Sequence, residues 1–192
     1  MRRKVEKEVA LDHALTLFWD RGYRATSLDM LTYRLGVEKP SLYASFGNKH
    51  QFFLTALRHY RTWLIGHLTA LFEGSASARA GLERVVRATM SAGARDTRKG
   101  CFAANSAMEL AESDAEVLKE VQAAFEDFLA LLTRMVRAAQ TQGEVRNDVP
   151  AHSLARLLLH VIEGARILDK AKMSDRDDDT VTRLLLSVLD GR

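Results

Sequence analysis

The scarcity of proline restricts the folds open to this chain more than any other feature of its sequence. Only Pro40 and Pro150 occur among 192 residues, whereas average usage would give about ten. Because proline breaks helices in their interior, a chain this poor in proline is free to form long uninterrupted helices. Apolar residues recur at helical spacing along the whole chain, and no segment shows the alternation typical of strands. We therefore predict an all-α protein of about nine helices.

Turn residues and capping patterns place these helices along the chain. Thr26 and Asp29 form a pair like a capping box at the start of the second helix, and Ser113 and Glu116 do so at the start of the seventh. Pro40 falls in the first turn of the third helix, where a missing N–H costs nothing. The predicted spans are 4–21, 27–35, 39–46, 48–72, 78–92, 101–111, 113–140, 150–170 and 178–189.

Charge is distributed unevenly between the two ends of the chain. Residues 1–62 hold 11 Lys and Arg against 6 Asp and Glu, a net charge of +5, whereas residues 63–192 hold 17 against 19, a net charge of −2. The overall charge of +3 is therefore the sum of a basic head and a mildly acidic body. A basic segment of this kind favours binding to nucleic acid.

The basic head has the pattern of a helix-turn-helix. Two short helices separated by Gly36 follow a longer one, and in this arrangement the second short helix enters the DNA major groove. We expect Leu42 and Phe46 to anchor that helix, and Lys49 to offer its charge to a phosphate beside the next helix N-terminus. In the alternative, Tyr43 is a core aromatic and Lys49 a solvated charge. The predicted DNA contacts are Thr26, Ser27, Lys39, Pro40, Ser41, Tyr43, Ala44 and Lys49.

An ordered set of residues in this head resembles the N-terminal signature of TetR-type (TetR/AcrR) transcriptional regulators. The set spans about residues 8–60 and consists of Gly22-Tyr23, Thr26-Ser27, Gly36-Val37, Lys39, Leu42-Tyr43, Phe46 and Lys49. The resemblance implies an all-helical homodimer with an N-terminal DNA-binding domain and a C-terminal ligand pocket. We accordingly expect a helix-turn-helix DNA-binding domain at 1–47, a connecting helix at 48–72 and a ligand-binding and dimerisation domain at 73–192. Two positions depart from the family pattern: Glu38 replaces a hydroxyl residue and Thr32 replaces alanine.

The last two predicted helices carry more apolar surface than one buried stripe requires. Leu154, Leu157, Leu158, Val161 and Leu168 are predicted to share one face of the eighth helix, and Leu159 and Ile162 add a second. A helix that is apolar on two sides is buried on two sides. The pattern predicts a four-helix interface between two copies of the chain, and the alternative is one large monomeric core.

Cys101 is the only cysteine, and its surroundings suggest a chemical sensor. It follows Gly100 at the start of a predicted helix, with Arg98 and Lys99 just before, and both the basic side chains and the helix N-terminus favour the thiolate. The segment Gly100-Cys101-Phe102-x-x-Asn105-x-Ala107-x-Glu109 resembles one in TetR subgroups that include repressors responsive to electrophiles or oxidants. In the alternative, Cys101 is a small buried apolar residue. The other candidate ligand contacts, each of which could instead be a core or surface residue, are Trp63, His67, Met90, Phe102, Asn105, Phe125, Phe128 and His160.

Several classes of function lack their sequence patterns. No histidine follows a glutamate by three residues, as helical di-iron enzymes require, and there is no phosphate loop or zinc-ligand spacing. Asp175, Asp177, Asp178 and Asp179 precede a predicted helix and suit its dipole better than a magnesium ion. The sequence has no apolar run long enough for a signal peptide or membrane span, so we expect a cytoplasmic protein. Because the enzyme and metal-site patterns named above are missing, we also expect that the protein is not an enzyme and needs no cofactor or metal.

The features together predict a ligand- or redox-responsive transcriptional repressor. It would bind a palindromic operator in double-stranded DNA as a homodimer, and a small molecule or modification of Cys101 would release it. The alternative is a helical protein that binds small molecules or acts as a scaffold and has no DNA function. Salt-dependent DNA binding would distinguish the two.

Overall fold

A computed structural model describes residues 7–90, 100–173 and 179–190. Within those ranges the chain forms nine helices and no strand, so the all-α prediction is confirmed. Arg98, Lys99, Asp175, Asp177 and Asp178, which entered the sensor and magnesium hypotheses, lie outside the described residues. The helices are α1 (Lys7–Arg21), α2 (Leu28–Leu35), α3 (Lys39–Phe46), α4 (Lys49–Glu73), α5 (Ala78–Met90), α6 (Phe102–Leu110), α7 (Ala115–Thr141), α8 (Ala151–Lys170) and α9 (Thr180–Ser187).

The chain forms two compact units, each of which combines two separate stretches of sequence. The first consists of Met1–Trp63 and Phe102–Ala124, and the second of Leu64–Cys101 and Phe125–Arg192. The first unit thus contains α1, α2, α3 and α6 together with parts of α4 and α7. This unit is larger than the DNA-binding domain predicted at 1–47, because α6 and the start of α7 pack with the helices of the basic head.

Helix α2 begins at Leu28, one residue later than the predicted start at residue 27. Ser27, not Thr26, is the N-cap, and its Oγ accepts the backbone N–H of Met30 at 3.1 Å. Thr26 is fully buried, and its hydroxyl donates to the carbonyl oxygen of Gly22 at 2.7 Å. Both residue types suit a cap, so sequence alone does not separate them. The cap predicted at Thr26 is wrong because its side chain is held inside.

The start of α7 also differs from the predicted capping box. Asp114, not Ser113, caps the helix, because its Oδ1 accepts the backbone N–H of Val117 at 3.1 Å. The hydroxyl of Ser113 instead donates to the carbonyl of Leu110, the last residue of α6. Ser113 therefore belongs to the turn that closes α6, and the predicted Ser113–Glu116 box is wrong.

Aromatic side chains form the core of the first unit. Phe18 of α1 contacts Phe53 of α4 edge to face, with ring centroids 5.0 Å apart. Phe46 of α3 stacks on Phe52 of α4 at 4.1 Å. Leu42 is fully buried beside this cluster on the same face of α3. The predicted anchors of α3, Leu42 and Phe46, are both confirmed.

In the second unit, α8 and α9 are each apolar on a buried and on an exposed side. Leu154, Leu158 and Ile162 of α8 are buried, whereas Leu157 and Leu168 are exposed by 41% and 49%. Placing Leu154 and Leu158 on one face with Leu157 and Leu168 was therefore wrong, because spacings of four residues keep Leu154, Leu158 and Ile162 on a separate stripe. On α9, Leu185 and Leu186 are buried, while the exposed apolar residues are Val181 and Leu184.

We find no membrane-spanning candidate among the helices of the described ranges, since none combines the required length and hydropathy.

Candidate nucleic-acid interface

The turn between α2 and α3 has the geometry that a helix-turn-helix needs. Gly36 ends α2 in the left-handed conformation, with φ of +63°, which glycine adopts without strain. The N–H of Val37 then donates back to the carbonyl of Thr32 at 3.1 Å. Across the turn, the Lys39 ammonium lies 2.6 Å from the Asp29 carboxylate and joins α3 to α2. These contacts set the direction in which α3 leaves the turn.

The outward side of α3 carries most of the predicted DNA contacts. Lys39, Pro40, Tyr43 and Ala44 are exposed, and Ser41 is half-buried, while Leu42 and Phe46 face the core. Ser27 is also exposed at the start of α2. Thr26 is the exception among the eight predicted residues. Its buried hydroxyl already donates to Gly22, so its side chain is not available to DNA.

The side chain of Lys49 packs on an aromatic ring and does not extend freely into solvent. Its ammonium lies 4.3 Å from the centroid of the Tyr23 ring, a cation–π arrangement. Burial lowers the pKa of Lys49, and the negative charge of Glu109 acts in the opposite direction. The residue is only half-buried, so its charge remains accessible at the first turn of α4.

Tyr33 is a surface aromatic that the motif-based prediction missed. It lies on α2 and is 91% exposed, although a large apolar ring is costly to leave in water. Its position off the stripe formed by Leu28, Leu31 and Leu35 is the signal in the sequence that identifies it as outward-facing. Tyrosine is one of the residue types that are enriched at interfaces.

The residues proposed for ligand binding are divided between the two units. Trp63, Phe102 and Asn105 belong to the first unit, whereas His67, Cys101, Phe125, Phe128 and His160 belong to the second. Trp63, His67 and His160 are exposed, so in this conformation they do not line an enclosed cavity. Phe102 is a core residue of the first unit, with its ring 5.7 Å from those of Phe53 and Tyr60. Only Cys101 and Phe128 of the second-unit candidates are fully buried.

Glu163 of α8 has a buried carboxyl group, and no local sequence pattern singles it out. Both of its carboxyl oxygens are buried and lack a hydrogen-bond partner of good geometry. Burial raises the pKa of Glu163, and the charge of Arg166 and the nearby Cys101 thiol offset part of that rise. An acid in this setting is unusual, because buried carboxyl groups are normally paired.

Comparison with known proteins identifies the family. Residues 10–56 match the family model described as bacterial regulatory proteins, tetR family, and residues 69–185 match the tetracyclin repressor-like C-terminal domain. The chain belongs to the TetR family of transcriptional regulators. The family predicted from the ordered N-terminal residues is therefore confirmed.

Relatives of this TetR-family chain are similar along most of its length. It is 30% identical over 168 residues to the HTH-type transcriptional repressor ComR of Escherichia coli, covering 84% of this chain and 78% of ComR. A cysteine mutant of the TetR-family regulator CifR, solved with 26-base-pair operator DNA, is 26% identical with a TM-score of 0.83, covering 98% of this chain and 99% of that one. A TetR regulatory protein of Rhodobacter sphaeroides shares the fold, with 23% identity and a TM-score of 0.84, covering 97% of this chain and 99% of that one.

The two departures from the family pattern have local structural effects. Glu38 is the N-cap of α3, but its side chain does not accept a hydrogen bond from the first N–H groups of that helix. Thr32 donates its hydroxyl to the carbonyl of Asp29 at 3.0 Å, the return bond to the backbone that its type favours. Both substitutions are compatible with the TetR-family head.

Proposed function

We propose that this TetR-family chain represses transcription by binding a palindromic operator as a homodimer, with α3 of each copy in the major groove. The observation that carries the proposal is the division of α3 into a buried anchor of Leu42 and Phe46 and an outward side of Lys39, Tyr43 and Ala44. The cationic and hydroxyl groups on that side suit phosphates and base edges. The chain would act by binding rather than by catalysis, in the cytoplasm where bacterial DNA lies.

The exposed apolar stripes of α8 and α9 support the homodimer. Leu157 and Leu168 of α8 and Val181 and Leu184 of α9 are each more than two-fifths exposed. A second copy would remove these side chains from water through the same surface on both subunits. Two heads joined in this way would meet half-sites about one DNA turn, roughly 34–36 Å, apart.

DNA binding at several salt concentrations tests the proposed function. The full chain is titrated against the DNA upstream of its own gene and against unrelated DNA of equal length. We expect preferential binding to the upstream DNA and an affinity that falls linearly with the logarithm of salt concentration. Absence of binding to either DNA would contradict the proposal and favour a helical protein without DNA function.

We further propose that the releasing signal acts where Cys101 and Glu163 are buried in the second unit. The carboxyl oxygens of Glu163 have no hydrogen-bond partner of good geometry, which suits a largely apolar molecule that donates an O–H or N–H to them. The Cys101 thiol is close enough to Glu163 to offset part of the rise in the pKa of this acid, so modification of the thiol would also disturb Glu163. A ligand and a thiol modification are thus two signals that would act on one cluster.

Two variants distinguish these signals. Glu163→Gln replaces an acceptor oxygen with an N–H₂ donor, and we expect it to weaken release of operator DNA by a panel of apolar alcohols, phenols and amines. Cys101→Ser should abolish release by N-ethylmaleimide and hydrogen peroxide. If both variants respond to every probe as the unaltered chain does, the signal does not act at this cluster.

A further inference from the structure

A single side chain of α6 holds the turn that leads into α2. The Glu109 carboxylate accepts two consecutive backbone N–H groups, from Tyr23 to Oε2 at 2.9 Å and from Arg24 to Oε1 at 2.7 Å. These residues are separated by more than 80 positions in sequence but belong to the same compact unit. Hydrogen bonds from N–H groups to a carboxylate are stronger than those to a neutral acceptor.

Gly22 makes room for this contact. It has a φ of +81°, and a Cβ atom built on it would lie 2.6 Å from Oε2 of Glu109. Any other residue type would strain the backbone and push the carboxylate away. The turn between α1 and α2 is therefore shaped around the carboxylate, and its two amides have a charged acceptor supplied by α6.

Further contacts fix both ends of α6 within the same unit. At its start, Phe102 is 1% exposed and lies among the rings of Trp19, Phe53 and Tyr60, with centroids 6.0, 5.7 and 5.7 Å away. Shortly after its end, Asp114 Oδ2 lies 2.7 Å from Nε2 of His50 in α4. The helix that directly follows Cys101 in the chain is thus packed against the elements of the DNA-binding head.

We propose that Glu109 is a positioning residue for DNA binding. By holding the amides of Tyr23 and Arg24, Glu109 fixes the turn that sets the direction of α2, and α2 leads into α3 through the turn at Gly36. Loss of these two hydrogen bonds would release the turn between α1 and α2 and change how α3 meets DNA. The inference rests on the operator binding proposed above.

The test compares full-length Glu109→Gln with Glu112→Gln as the matched control. Glu112 is exposed one turn further along the chain, and its replacement removes the same charge. The side chain introduced by Glu109→Gln keeps one acceptor oxygen but presents an N–H₂ group to the second backbone amide. Operator affinity is measured by fluorescence anisotropy, amide hydrogen exchange by NMR, and helix content by circular dichroism.

We expect Glu109→Gln to weaken operator binding about tenfold and to speed exchange at the Tyr23 and Arg24 amides, with unchanged helix content. Glu112→Gln should match the unaltered chain. Operator binding by Glu109→Gln equal to that of the unaltered chain would overturn this inference alone, whereas failure of the unaltered chain to bind DNA would overturn the proposed function as well. If Glu109→Gln does not fold, Glu109→Asp, whose shorter side chain reaches at most one amide, replaces it with the same expected result.

Discussion

At the residue scale, Lys39 has a partner within the chain that competes with DNA. Its ammonium pairs with the exposed Asp29 carboxylate at 2.6 Å, and the hydrogen bond to Asp29 raises the pKa of Lys39. DNA phosphates must displace this carboxylate or tolerate its charge. The pair therefore stabilises the α2–α3 turn and at the same time limits the contribution of Lys39 to DNA binding.

Asp29→Asn should consequently strengthen operator binding. The change frees the Lys39 ammonium and removes a negative charge that repels phosphate, so we expect a several-fold lower Kd at low salt and a smaller gain at high salt. Anisotropy titrations at two or more salt concentrations measure it. Glu126→Gln, on an exposed position of α7, is the charge-matched control and should change little. Weaker binding by Asp29→Asn would show that the pair serves mainly to hold α3.

Leu42 is one of the two buried residues of α3. It is fully buried, and Leu42→Ala should lower the free energy of unfolding by about 2–5 kcal/mol, because the lost methyl groups leave a cavity. Urea unfolding followed by circular dichroism measures the change. Leu118→Ala on α7, where the side chain is 36% exposed, should cost far less. Equal losses in the two variants would contradict the anchoring role of Leu42.

Residue roles set by local pattern were easier to predict than roles set by distant partners. Leu42 and Phe46 follow the apolar stripe of α3, so their burial was predictable from spacing. Thr26 and Ser27 are equally good caps, and only the packing of the turn decides between them. No local pattern reveals that Lys49 lies on the Tyr23 ring, because that contact depends on where α4 packs.

At the element scale, the start of α7 gives a pH-dependent contribution to stability. Burial raises the pKa of Asp114, but its hydrogen bonds with the Val117 N–H and the His50 ring outweigh this effect, and the pKa lies below its ordinary value of 3.8. A carboxyl group with a lowered pKa stabilises the fold above its unfolded-state pKa. That stabilisation is lost as pH falls below about 4.

Asp114→Asn should therefore flatten the loss of stability at acidic pH. Urea unfolding between pH 3 and pH 7 is expected to show a smaller acid-dependent drop in this variant than in the unaltered chain. Glu112 is exposed and lies two residues before Asp114, so the control variant Glu112→Gln should retain the full acid-dependent loss of stability. An unchanged pH profile in Asp114→Asn would mean that the Asp114 carboxylate contributes nothing measurable to the acid dependence of stability.

The helices themselves were predictable, but the membership of α6 in the head was not. Periodicity and turn residues located each described helix to within a few residues, with α8 predicted at 150–170 and observed at Ala151–Lys170. The place of α6 depends on bonds between Glu109 and the Tyr23–Arg24 turn, which are distant in sequence. Spacing rules act over one or two turns, so they give no information about such pairs.

At the scale of the whole molecule, assembly is expected to depend on the exposed apolar stripes of α8 and α9. Leu184→Arg places a charge on a side chain that is 63% exposed in the single chain, so the monomer should fold normally. In the proposed dimer the same charge would be buried without a partner. We expect sedimentation velocity to show a monomer and operator affinity to fall sharply. Leu118→Arg, outside these stripes, should remain dimeric, and a dimeric Leu184→Arg would contradict the interface.

The central claim is that the two heads of one homodimer bind a palindromic operator. It is tested most directly by measuring both the mass of the protein–DNA complex and the DNA segments that the protein protects. The operator is selected from random DNA with the full chain, and the complex is then analysed by sedimentation equilibrium and hydroxyl-radical footprinting. We expect an even number of chains per duplex and two protected half-sites about 10 base pairs apart between centres. One chain per duplex with a single continuous footprint would contradict it.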